Sequence, residues 1–92
     1  MIRNFEELEV TLNVYNNKIG TIRRAIKQAY LRRDFIKVDE LKTEYLLIRK
    51  KIVSYIDFYK IKISNNYIEY QVYGNQLKEI EQYYQKYFED NY

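Results

Sequence analysis

One apolar stripe in the first third of the chain constrains the fold more than any other feature. From Phe5 to Ala29, apolar residues recur at alternating steps of three and four. This spacing predicts a long amphipathic helix, about 40 Å at 1.5 Å per residue. A lone helix of this kind leaves its stripe in water, so we expect a second helix or subunit to cover it. The stripe consists of Phe5, Leu8, Leu12, Tyr15, Ile19, Ile22, Ile26 and Ala29.

The stripe loses its phase after Ala29 and resumes at Val38. A continuous supercoil accommodates a two-residue slip poorly, which favours a break near residues 32–34. Asp34 is a suitable N-cap for a second helix, as Asn4 is for the first. We therefore predict an antiparallel helical hairpin, with a long coiled coil made by one continuous helix in a dimer as the alternative. The second stripe consists of Val38, Leu41, Tyr45, Ile48, Ile52, Tyr55 and Tyr59.

The predicted turn resembles the short helical hairpin of nucleotide excision repair proteins. The resemblance is carried by Ala29, by the Asp34-Phe35 pair at the turn and by Leu41 on the second helix. The residues just after the turn are larger than that family prefers. The resemblance covers only the turn and its flanks, so it implies a tight helical hairpin and carries no function with it.

The spacing of apolar residues changes in the C-terminal half. Apolar and polar residues alternate over 59–64 and again over 67–72, and Asn65 and Asn66 between them suit a two-residue turn. Closing this turn sets apolar residues opposite apolar ones and lysine opposite glutamate. We therefore predict a β-hairpin over Phe58–Tyr73. If the segment is helical instead, the chain is an all-α three-helix bundle.

Gly74 and Asn75 fit the end of that hairpin and the N-cap of a last helix, from Gln76 to about Asp90. The predicted fold is therefore mainly α: an antiparallel helical hairpin, then a β-hairpin, then a C-terminal helix. We expect residues 1–92 to form a single interaction domain. A chain of 92 residues has a small core, so a partner or a second copy often supplies additional burial.

Composition excludes most catalytic chemistry. The chain has no His and no Cys, and its two glycines, Gly20 and Gly74, are isolated. The usual nucleophile and base pairs, metal sites and phosphate-cradling loops therefore lack their residues. We predict that the protein is not an enzyme and has no cofactor, no metal and no small-molecule substrate.

Location is inferred from the same composition. No apolar run approaches the ~20 residues of a membrane span, and the first nine residues contain three acids and no apolar core. We expect a cytoplasmic protein without a membrane partner. Abundant Ile, Asn, Lys and Tyr are typical of AT-rich coding sequences, which is compatible with a phage or a mobile element.

Basic residues are concentrated in the middle of the chain. Residues 10–62 contain thirteen bases and five acids, whereas both flanking segments are net acidic. In a helical hairpin that turns near Asp34, Lys18 lies level with Lys50. This predicts a basic patch that could hold nucleic acid or another anion. The patch consists of Lys18, Arg23, Arg49, Lys50 and Lys51.

Two further expectations follow from the same hairpin geometry. Arg24 lies near Glu44 and Lys27 near Glu40, as ordinary surface ion pairs. Single-stranded nucleic acid would also need aromatic stacking, for which the neighbouring tyrosines are Tyr55 and Tyr59.

Twelve tyrosines, mostly in the C-terminal half, suggest a protein interface. Tyrosine buries a large area with little loss of rotamer freedom, which favours it at interface centres. The first hypothesis is therefore a non-enzymatic accessory protein, an adaptor or inhibitor that binds a larger protein or that self-associates. The alternative is a nucleic-acid-binding accessory protein that uses the basic helical patch. The predicted protein interface consists of Tyr67, Tyr73, Tyr83, Tyr87 and Tyr92.

Overall fold

The structure, a computed structural model, describes residues 4–91 apart from the side chains of Tyr67, Asp90 and Asn91. Three α-helices fill this range: α1 (Phe5–Leu31), α2 (Phe35–Ser64) and α3 (Tyr67–Asn91). The described residues contain no strand. The chain divides into two compact units. We call Glu9–Ile52 the hairpin unit, and Met1–Leu8 together with Val53–Tyr92 the terminal unit.

The mainly α class is confirmed, but the predicted β-hairpin over Phe58–Tyr73 is wrong. This segment belongs to α2 and α3, which are separated by a short turn. Asn66 is the N-cap of α3, because its Oδ1 accepts a hydrogen bond from the backbone N–H of Glu69 at 3.2 Å. Its Nδ2 also donates to Oε2 of Glu69 at 3.3 Å. The asparagine pair therefore ends one helix and begins the next.

Burial shows why the helical spacing prevails over the alternating one in this segment. The β-hairpin required Ile61, Ile63 and Ile68 to share one covered face. Ile63 is buried, but Ile61 is 68% exposed and Ile68 is 76% exposed. The buried side chains here are Ile56, Tyr59 and Ile63, which are spaced by three and four residues. A helical stripe therefore forms the core of this segment.

The predicted start of the last helix at Gln76 is also wrong, because Gly74 and Asn75 lie inside α3. Gly74 has no positive φ, so its backbone conformation is open to other residues. A Cβ atom at this position would lie 3.6 Å from the ring of Tyr70, which is ordinary van der Waals contact. The fold therefore does not require glycine at position 74.

In the hairpin unit, α1 and α2 pack against each other in antiparallel directions. Near the turn, Ile26 and Ala29 of α1 form a buried cluster with Val38 and Leu41 of α2. Farther from the turn, later residues of α2 meet earlier residues of α1: Ile48 lines a groove with Ile22 and Lys18, and Lys51 lies over the Tyr15 ring. The most deeply buried side chains of this unit are Ile19, Tyr45 and Ile52.

A Schellman motif ends α1 without any glycine. The backbone N–H of Asp34 donates to the carbonyl oxygen of Ala29 at 2.9 Å, and that of Arg33 donates to Tyr30 at 3.0 Å. The motif places Arg33 in the left-handed region, with φ of 59°. Oδ1 of Asp34 then accepts the N–H of Lys37 at 3.1 Å, which caps α2.

In the terminal unit, an aromatic cluster joins all three helices. Phe5 of α1 stacks on Tyr73 of α3 with ring centroids 4.6 Å apart, and it meets Tyr59 of α2 at 6.1 Å. Tyr59 is fully buried, and its hydroxyl donates to Oε1 of Glu69 at 3.3 Å. Burial and the nearby Glu69 carboxylate raise the pKa of Tyr59 to about 12. Burial likewise raises the pKa of Tyr84 to about 12.

Gly74→Ala is expected to stabilise the protein by about 0.5–1 kcal/mol, because alanine has the higher helix propensity and the added methyl group has space. Urea unfolding followed by circular dichroism measures the change. Asn66→Ala, which removes the N-cap of α3, should change stability in the opposite direction by about 1 kcal/mol. A loss of stability in Gly74→Ala would contradict the placement of residue 74 in a helix interior.

Arg33→Gly is expected to raise the free energy of unfolding by about 0.5–1 kcal/mol, because a left-handed conformation strains any residue that has a Cβ atom. The matched control is Arg32→Gly, one residue earlier, where φ is not positive and glycine should lower stability. Thermal unfolding of both variants checks the prediction. Equal effects at the two positions would show that the strain at Arg33 is absent in solution.

Alkaline pH should destabilise the terminal unit. Between pH 10, the ordinary pKa of tyrosine, and about 12, the unfolded chain loses a proton that folded Tyr59 retains. This contribution to stability is fully present below pH 10 and is lost as pH rises toward 12. Urea unfolding at a series of pH values should show the decline, and Tyr59→Phe should make it shallower. An unchanged decline in Tyr59→Phe would contradict the raised pKa.

Candidate binding surfaces

Two lysines from different helices gather around one tyrosine ring in the hairpin unit. The Nζ atoms of Lys18 and Lys51 lie 5.3 and 5.8 Å from the centroid of the Tyr15 ring. Both distances allow cation–π attraction. Both lysines are exposed, and neither ammonium group pairs with a carboxylate among the described residues. We call Lys18 and Lys51 the lysine pair; it is a concentration of positive charge that is open to an anion.

The other members of the predicted basic patch differ in their surroundings. Lys50 is exposed and precedes Lys51 on α2. Arg49 is half-buried, and both Arg49 and Arg23 already interact with other groups of the protein. Glu44 lines the same open groove as Lys18, but the two side chains do not form an ion pair. Three lysines of the patch are therefore exposed and have no ion pair among the described residues: Lys18, Lys50 and Lys51.

The ion pairs predicted for Arg24 and Lys27 do not form among the described residues. The guanidinium group of Arg24 instead approaches Oγ1 of Thr21 at 3.4 Å, and Glu40 pairs with Lys37 on its own helix at 3.8 Å. The hairpin unit contains eleven basic and five acidic residues, a formal charge of +6. Its positive charge is therefore not balanced within the unit.

The two tyrosines predicted to stack on single-stranded nucleic acid are both at least half-buried. Tyr59 is fully buried and its hydroxyl is bonded to Glu69, so no base can stack on it. Tyr55 is half-buried and already interacts within the protein. The ring of Tyr15 is half-buried and has ammonium groups above it.

A second surface lies where the hairpin unit turns. Four large apolar side chains are exposed here: Tyr30 by 63%, Leu31 by 67%, Phe35 by 56% and Ile36 by 77%. The rings of Tyr30 and Phe35 meet edge to face, with centroids 5.9 Å apart. The exposed arginines of the turn lie between them in sequence. We call the segment of residues 30–36 the hairpin tip.

The sequence predictions missed the hairpin tip, although a signal was present. The first stripe ends at Ala29 and the second begins at Val38, and four of the residues between them are large and apolar. Apolar residues outside both stripes are not needed to bury either stripe. Such residues at a turn are candidates for contact with another molecule.

The predicted tyrosine interface is only partly exposed. Tyr73 is half-buried and stacks on Phe5, so it belongs to the packing of the terminal unit. Tyr83 is 54% exposed, and its ring contacts that of the half-buried Tyr87 at 6.1 Å. The two remaining members, the side chain of Tyr67 and Tyr92, lie outside the described residues.

The sequence matches no protein-family model, and comparison with curated proteins and with solved structures gives no significant match. None of the described helices has an apolar stretch long enough to cross a membrane. Within residues 4–91, no group of three or more potential metal-ligating side chains comes together. Function is therefore inferred from the exposed surfaces themselves.

Proposed function

We propose that this protein acts by binding a larger protein, and that the hairpin tip is the surface that enters the partner. The observation that carries this proposal is the exposure of Tyr30, Leu31, Phe35 and Ile36 within seven residues. Single exposed apolar residues are common, but a cluster of large ones marks a surface that becomes covered on binding. The buried stripes of α1 and α2 do not include these four residues.

The composition of the hairpin tip is typical of residues that anchor an interface. Aromatic and arginine side chains are enriched among those that dominate binding energies. The edge-to-face contact of Tyr30 with Phe35 restricts the freedom of both rings before binding. Less side-chain freedom is then lost when the partner binds, which favours affinity.

Arg33 gives independent support, because an arginine stands at a left-handed position where a glycine would relieve backbone strain. A left-handed conformation costs a residue with a Cβ atom about 1–2 kcal/mol. Strain of this kind is often found where a side chain has a function. Arg32 and Arg33 are both exposed. We infer that the partner has an apolar pocket bordered by carboxylates, which complements the apolar and cationic groups of the tip.

A partner with a pocket fits the hairpin tip better than a second copy of the tip. A helix-to-helix turn is convex, and two convex surfaces cannot enclose each other's side chains. Large buried contact requires complementary shapes. The proposal therefore commits to a larger protein, and self-association becomes an outcome of the experiment.

Site-specific photo-crosslinking in cells that encode the protein tests the proposal. A benzophenone amino acid at position 36 should label one larger protein. The same group at position 46 should not label it. Leu46 is also exposed, at 55%, but it lies about 15 Å along α2 from Ile36.

Competition with unlabelled protein is a second test. Excess unlabelled protein should reduce the labelling, and Phe35→Ser/Ile36→Ser should compete about tenfold less well, a loss of about 1.4 kcal/mol.

Arg33→Gly separates a binding role from a folding role. If the arginine contacts the partner, this variant competes less well although it is the more stable protein. Equal labelling from positions 36 and 46, or full competition by the Phe35→Ser/Ile36→Ser variant, would contradict the hairpin tip as the binding surface. Labelling of a second copy alone would replace the larger partner with self-association.

A further inference from the structure

The lysine pair is a second surface, distinct in residues from the hairpin tip, and it goes beyond the proposed protein-binding function. We propose that Lys18 and Lys51 bind the phosphate backbone of duplex nucleic acid without reading its sequence. The juxtaposition that carries this inference is the approach of two ammonium groups, one from each helix, to the single ring of Tyr15.

The two ammonium groups lie near enough to each other to attract the same polyanion. Their distances to the Tyr15 ring place them no more than about 11 Å apart, close to the screening length of about 8–10 Å at moderate salt. Neither has a carboxylate partner among the described residues. The attraction of the ring partly offsets their mutual repulsion, and a bound anion would offset the rest.

The chemistry of the lysine pair suits phosphate oxygens. Lysine presents a compact, hydrated charge that binds phosphate oxygens without the fixed geometry of the planar arginine fork. The formal charge of +6 on the hairpin unit extends the attraction beyond this one site. A charge of that size favours a polyanion over a single acidic side chain.

Duplex nucleic acid fits the site better than a single strand. Sequence-tolerant binding of single strands depends on aromatic rings on which bases stack. At this site the half-buried Tyr15 ring is covered by ammonium groups instead. Duplex DNA needs no such ring and presents one negative charge per about 1.7 Å of helix axis. The inferred ligand is therefore the phosphodiester backbone of a duplex.

Fluorescence anisotropy with a labelled duplex DNA of mixed sequence tests the inference. The full-length protein should bind at low salt and lose affinity as salt rises. Lys18→Gln/Lys51→Gln should lower the affinity about tenfold. The negative slope of log K against log salt should become shallower by about 1.8, which is about 0.9 for each phosphate that the variant no longer neutralises. Circular dichroism confirms that the variant is folded.

Lys27→Gln/Lys42→Gln is a matched control, because it removes the same charge from the same two helices. Each of these exposed lysines lies nine residues from its counterpart, which places it about 13 Å along the axis and on the opposite side of the helix. We expect a loss of less than about threefold from the change in net charge alone. Glu44→Gln, in the groove beside Lys18, should strengthen binding.

Four results would overturn the inference. They are no binding at low salt, equal losses in the two double-lysine variants, tighter binding of a single strand of the same sequence, and an unchanged affinity in Lys18→Gln/Lys51→Gln. Phe35→Ser/Ile36→Ser should bind duplex DNA like the unaltered protein. The inference and the proposed function can therefore fail separately.

Discussion

The burial of one helical stripe against another is the interaction on which the rest of the hairpin unit depends. A helix as long as α1 has little stability in water with its apolar face exposed, so α2 has to return along it. Ile19 of the first stripe and Ile52 of the second are fully buried. The Schellman motif makes the return possible within three residues, because Arg33 accepts a conformation that most residues avoid. The large apolar side chains of this unit that lie outside the two stripes are exposed to solvent.

The features that sequence predicted correctly are those that depend on local geometry. The positions of the first stripe are buried or half-buried, because 3.6 residues per turn places them on one side of α1 whatever lies opposite. Asn4 and Asp34 cap their helices for an equally local reason. Oδ1 of Asn4 accepts the N–H of Glu7 at 2.9 Å, a bond that needs only the first turn of the helix. The phase slip after Ala29 marked the end of α1 because the helical period itself is interrupted there.

The β-hairpin prediction failed because an alternating pattern does not show which part of the protein would cover the apolar face of the hairpin. A two-stranded hairpin leaves backbone groups at its edges and needs a neighbour for its apolar face, whereas a helix satisfies its own backbone. Leaving Ile61 and Ile68 in solvent is compatible with the helix, because Tyr59 and Ile63 give it a buried stripe. The lysine pair could be predicted only in part, since level positions on two helices do not specify that Lys18 and Lys51 meet at Tyr15. The turn of the hairpin tip was predicted from the phase slip and Asp34, but the left-handed conformation of Arg33 was not, because no glycine or asparagine stands at that position.

The two units use their side chains differently. Several aromatic side chains pack inside the terminal unit: Tyr59 and Tyr84 are buried, and Tyr73, a member of the predicted interface, stacks on Phe5. The hairpin unit has the excess positive charge and the exposed apolar turn. Arg33 is the only residue other than glycine with positive φ in the described part of the chain. The backbone strain at Arg33, which a glycine would relieve, therefore lies in the hairpin tip, where four large apolar side chains are exposed. This coincidence supports a turn selected for contact rather than for stability alone.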